Sequence, residues 1–170
     1  MESLFNKGRR GFSLIEMVVY ISILTFMLVI VLEVVFSVTR SQRVIRSVRD
    51  IENSALVSLE RIERETRGAE SISTASSTLG TSPGVLVLNS LDEEGGSRTV
   101  EFSLLNGQLR LKEDGVDTGA LTASGTVVTN LVFRRFASST VEGIKTELTI
   151  ESGTSTHYRT ESFYSSARLR

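Results

Sequence analysis

Residues 11–36 read GFSLIEMVVYISILTFMLVIVLEVVF, an apolar run broken by Ser13, Glu16, Ser22, Thr25 and Glu33. Wound as a helix rising 1.5 Å per residue, the stretch from Phe12 to Leu32 is about 31 Å long, close to the hydrocarbon thickness of a bilayer. A run with so few polar breaks is hard to cover inside a 170-residue protein. It is also too long for an ordinary cleaved secretory signal, and no small-x-small site closes it. These residues therefore predict a membrane-spanning helix over 12–36. Lys7, Arg9 and Arg10 stand just before it and argue for a cytoplasmic N-terminus. Arg40, Arg43, Arg46 and Arg49 follow on the other side, so the count of positive charges alone leaves the orientation ambiguous.

Beyond the apolar run a helical pattern continues over 37–68. Val38, Ile45, Val48, Ala55, Leu59 and Ile62 recur at spacings near three, four or seven, which predicts one apolar stripe. Glu60 to Arg64 and Glu63 to Arg67 are i,i+4 pairs in the favourable order, and Gly68 suits a C-cap. A single helix from Phe12 to Arg67 would be about 84 Å long. Arg40, Arg43, Arg46 and Arg49 recur every three residues as a basic stripe. It reads equally as a contact for acidic headgroups or a neighbour's carboxylates and as a solvated helix face.

From Ala69 onward short β-rich runs alternate with Gly, Ser, Asn and Asp clusters. Strands are predicted over Gly84–Leu91, Arg98–Leu105, Gln108–Glu113, Thr126–Ala137, Gly143–Glu151 and His157–Ser165. Asn106-Gly107 between Leu105 and Gln108 signals a two-residue type I′ hairpin. Val100, Phe102 and Leu104 alternate with Glu101 and Ser103, giving one buried and one wet face. Ser71–Ser82 reads as an exposed loop or ragged strand. The fold class is α+β: a long N-terminal helix, membrane-spanning in its first half, packed on a mostly antiparallel β-sheet.

The composition narrows the chemistry. With 19 Lys and Arg against 20 Asp and Glu the net charge is −1, and residues 69–170 hold 9 basic against 12 acidic side chains. Neither balance favours direct nucleic-acid binding. There is no Cys, so neither a disulfide nor a thiolate metal site can form. His157, the one histidine, reads as an ordinary strand residue rather than a general base. Glu113, Asp114 and Asp117 could offer oxygens to Ca²⁺, but their spacing matches no defined calcium loop and Asp114-Gly115 is first of all a turn signal. No cofactor, metal site or catalytic constellation is expected, and the chain reads as a non-enzyme.

The string Lys7-Gly8-Arg9-Arg10-Gly11-Phe12-Ser13-Leu14-Ile15-Glu16 resembles the processing motif of type IV prepilins. The resemblance implies a leader over 1–11, cut after Gly11 by prepilin peptidase, and N-methylation of the new N-terminal Phe12. It gives Glu16 the assembly role: its carboxylate neutralises the N-terminal amine of a neighbouring subunit, the helices packing side by side in a filament core. A carboxylate inside an apolar run is costly unless paired, which gives that role a physical basis. The other possibility is that Glu16 snorkels to the headgroups, lying about 6 Å along the axis from Phe12. Glu33, at the outer end of the run, is assigned no chemistry. Many major pilins carry a helix-kinking proline near that point; none is present here, which argues for a minor subunit. Residues 55–72, the run Val128–Phe133 and a final strand ending at Arg168 resemble the J-type minor pseudopilins of type II secretion and their PilW-like counterparts in pili, subunits that sit near the filament tip.

The resemblance implies as partners the prepilin peptidase/methyltransferase, other pilin or pseudopilin subunits, and inner-membrane lipid before assembly. The chain would be a single-pass inner-membrane protein with a cytoplasmic N-terminus and residues 69–170 as a β-rich domain outside, later built into an extracytoplasmic filament. Retractable pilus, secretion pseudopilus and DNA-uptake pilus stay open. The alternative from another class is a signal-anchored periplasmic binding or enzymatic domain that never enters a filament.

Overall fold

The computed structural model describes residues 13–92, 94–138, 141–152 and 158–170, with the side chains of Arg43 and Val44 left out. The architecture is α+β. Among the described residues helix α1 (Leu14–Gly68) is followed by eight antiparallel strands: β1 (Ala69–Ile72), β2 (Leu86–Leu91), β3 (Ser97–Leu105), β4 (Gln108–Glu113), β5 (Val116–Ala120), β6 (Thr126–Ala137), β7 (Glu142–Ser152) and β8 (Arg159–Arg168). The chain divides into two compact units, residues 1–42 and 43–170.

In the first unit α1 begins as Met17 N–H donates to Ser13 O at 3.2 Å. Every apolar side chain from Leu14 to Phe36 is exposed, from 42% at Ile30 to 83% at Leu14. By length and composition this helix can cross a membrane, and its most apolar window is wholly uncovered by the chain itself. A core helix of a soluble domain would bury that surface.

In the second unit the strands form two sheets rather than the single sheet expected. One is a five-stranded meander in chain order β1 to β5, the other a three-stranded meander β6-β7-β8. Alternation sets the faces: Leu86 and Leu88, Val100 and Phe102, Leu109 and Leu111 point inward from the first sheet, and Val128, Leu131, Phe133, Ile144, Leu148 and Ile150 from the second. They share one core with Ile51, Ala55 and Ile62 of α1. On the wet face Glu101 lies opposite Lys112, whose Nζ sits 2.8 Å from Glu101 Oε1.

The hairpin at Asn106-Gly107 forms as the sequence predicts, with φ of 52° and 74° and Leu105 paired to Gln108. Asp114-Gly115 makes a second turn of this kind, with φ of 51° and 80°, joining β4 to β5. The short edge strands β1 and β5 were not expected. β5 reads Val-Asp-Thr-Gly-Ala, whose polarity and glycine signal a turn rather than a strand. The segment Ser71–Ser82, expected as an exposed loop or ragged strand, is tied to β6 through Gly80 N–H, which donates to Phe133 O at 2.8 Å, and just beyond it Gly84 N–H donates to Leu131 O at 2.8 Å.

The buried stripe of α1 differs from the apolar positions chosen by periodicity. Val38 and Ile45 are exposed, whereas Ser47, Ile51, Ser54, Ala55, Ser58, Ile62, Glu65 and Thr66 face inward. Small and hydroxylic residues let the helix approach the sheets closely, and Ser54 also answers a polar group there. Ser54 Oγ accepts from Ala123 N–H at 3.1 Å, where the chain crosses from one sheet to the other. Glu63 pairs with Arg67 at 2.7 Å as expected, but Glu60 makes no ion pair with Arg64. Arg61 instead joins Glu65 at 3.0 Å and Glu113 at 2.6 Å, and Arg98 reaches the same two carboxylates. Gly68 is the last helical residue and does not adopt the left-handed cap conformation. β1 starts at once, and Ser90 Oγ donates to Gly68 O at 3.2 Å.

Candidate assembly site

The first turns of α1 carry the polar groups that an apolar helix must place. Ser22 and Thr25 return their hydroxyls to the carbonyls one turn back, Val18 O and Ile21 O, at 2.8 Å each. Both are thereby satisfied within the helix. Glu16 has no such route, since a carboxylate cannot donate to a carbonyl when ionised. It lies in the first turn, where the free N–H groups of the helix end favour negative charge. Its Oε1 accepts from the Tyr20 hydroxyl at 3.2 Å. Ser13 and Glu16 stand in capping-box order, yet the carboxylate is engaged further along the helix at Tyr20. Tyr20 was not singled out in the sequence; its signal was the i,i+4 spacing from Glu16.

Gly11 and Phe12, the expected cleavage and methylation positions, lie outside the described residues, as do Lys7, Arg9, Arg10 and His157. Arg40, Arg46 and Arg49 are exposed and make no ion pair among the described residues. Arg43 belongs to the helix, but its side chain is outside the description. Steps of three residues fall about 60° short of a full turn, so arginines at this interval wind around a helix instead of lining up along it.

The prokaryotic N-terminal methylation motif matches residues 6–32. The matched span includes Gly11, Phe12 and Glu16 and the greater part of the uncovered apolar run. It supports a type IV pilin-like, membrane-anchored prepilin, and such a motif implies processing by a prepilin peptidase and assembly with other pilin subunits. Neither curated proteins nor solved structures give a match.

In the second unit Glu113, Asp114 and Asp117 have separate partners. Glu113 lies between Arg61 and Arg98, Asp114 Oδ1 accepts from Thr99 N–H at 2.7 Å, and Asp117 lies 2.7 Å from Arg110. Contact with the Arg110 guanidinium holds the Asp117 carboxyl below its ordinary value, against the opposing effect of desolvation and with help from Gly119 N–H and Lys112. An open groove of about 530 Å³ runs between α1 and β8, floored by Ala55, Leu56, Leu59 and Phe163. Of the carboxylates beside it, Glu63 is engaged by Arg67 and by the Ser165 hydroxyl.

Proposed function

We propose that the chain is a structural minor subunit, a minor pilin or pseudopilin, of a type IV pilus or type II secretion-like filament. The observation that carries this reading is the methylation-motif match on a helix whose apolar side chains the chain leaves uncovered. Such a surface needs lipid first and other helices afterwards. Prepilin peptidase cuts after Gly11 at the cytoplasmic membrane face, and the glycine leaves no side chain to obstruct the cleft. Phe12 then becomes the N-methylated terminus, and Glu16 pairs with the corresponding amine of a neighbouring subunit. Arg40, Arg43, Arg46 and Arg49 meet acidic headgroups or a neighbour's carboxylates. The subunit is single-pass in the inner membrane, with its β-rich part outside the cytoplasm, and its place in the filament is at or near the tip, as for J-type components.

Mass spectrometry of the native N-terminus tests the processing: the expected species begins with N-methyl-Phe12. Glu16→Ala is expected to leave insertion and cleavage intact and to lower recovery in sheared filaments at least tenfold, on the order of the loss of one charge pair in an apolar setting. A native chain that still begins at Met1 and never co-sediments with filaments would overturn the proposal.

A further inference from the structure

We infer that Tyr20 is a positioning residue for Glu16: its phenol carries the Glu16 carboxylate through the membrane-resident stage and presents it for pairing. The inference rests on the assembly reading of Glu16 and adds a second residue to it. Residues four apart share a helix face, and helical side chains lean toward the N-terminus. The Tyr20 hydroxyl therefore reaches back one turn, toward the end of the apolar run where Glu16 lies, and donates to Oε1 at 3.2 Å. Each group answers a need of the other. A carboxylate among hydrocarbon requires donors, and a phenol buried in an apolar layer requires an acceptor. Ser22 and Thr25 are occupied with their own backbone and cannot substitute. Oε2 takes no hydrogen bond from the described residues, which leaves it for an incoming ammonium. The phenol thus fixes the carboxylate without occupying the oxygen that the partner uses. Holding both groups on one helix turn also spares the carboxylate a choice among rotamers when the neighbouring amine arrives.

Tyr20→Phe keeps the ring and removes the donor, so packing is nearly unchanged. In the full chain it is expected to leave membrane insertion and cleavage at parental levels and to reduce incorporation into filaments about threefold to tenfold, the factor associated with one hydrogen bond of ordinary net strength. A second readout does not depend on assembly. In reconstituted vesicles the infrared difference between the parent and Glu16→Gln isolates the Glu16 carboxyl band, and Tyr20→Phe is expected to shift it. A lost ring contact alone would leave that band in place. If Glu16→Ala impairs incorporation while Tyr20→Phe assembles normally, or if the band does not move, the role of Tyr20 is refuted and that of Glu16 stands. If Glu16→Ala itself assembles normally, the assembly reading fails, and the inference falls with it.

Discussion

Replacing Gly143 by alanine tests the second unit where three strands approach closely. Gly143 sits in β7 between Phe136 on β6 and Arg168 on β8 and is buried. Its φ is not left-handed, so the demand for glycine is one of space rather than of backbone conformation. A Cβ there would collide with the Phe136 ring and with the main-chain oxygen of Ala167. The ring is 42% exposed and can swing outward at some cost. The carbonyl belongs to β8 and can retreat only by disturbing the ladder with β7. Overpacking costs about 1–3 kcal/mol, and a rigid obstacle places this site near the upper end, at about 2–3 kcal/mol. For a unit of this size each kcal/mol moves the melting temperature by about 3–6 °C, so the expected drop is about 10 °C. The assay is thermal unfolding of the full chain in detergent micelles, followed by the far-ultraviolet circular dichroism of the strands. Gly143→Ala combined with Phe136→Ala should remain destabilised, because the carbonyl clash persists. A melting temperature within about 1 °C of the parent, the range of a neutral surface change, would refute the close approach of these three strands.

Three further outcomes follow from local geometry. Ser58 Oγ is fully buried without a hydrogen-bond partner, so Ser58→Ala should stabilise the unit by about 0.5–1 kcal/mol by removing that group and improving helix propensity; a lower midpoint in the same melt would show a partner. Gly68 has open space where a Cβ would go and no left-handed φ, so Gly68→Ala should stabilise by about 0.4–1 kcal/mol, and destabilisation would show that the helix end requires glycine. Asp117 should titrate below its ordinary 3.8 by carboxyl-carbon NMR. Because its folded value is depressed, its stabilising contribution is present above the ordinary range and is lost as pH falls through the folded value. Arg110→Ala should bring the titration back toward 3.8, and an unchanged curve would remove Arg110 as the cause.

Much of the fold was legible where a single physical demand dominated. Alternation over Val100–Leu104 and the Asn106-Gly107 turn were readable because a two-residue hairpin fixes register locally. The buried helix stripe was not readable from apolar spacing. Its inward face is half serine and threonine, and what Ser54 meets there, Ala123 N–H, comes from sequence far away. The pairing of Arg61 and Arg98 with Glu65 and Glu113 was hidden for the same reason, since it joins a helix to two strands. At the candidate site Glu16 stood out as a charge in an apolar run, whereas Tyr20 looked like one more ring among apolar neighbours until its hydroxyl was placed.

What the sequence alone determined is the uncovered apolar helix and the motif at its head, because hydrophobic length and charge order act along the chain and need no partner to be read. What the tertiary structure alone decided is the division of the strands into two sheets, the polar stripe that α1 turns to them, and the joining of Arg61 and Arg98 to Glu65 and Glu113. Those depend on which side chains come within hydrogen-bond distance in space, and composition and periodicity carry no direct record of that.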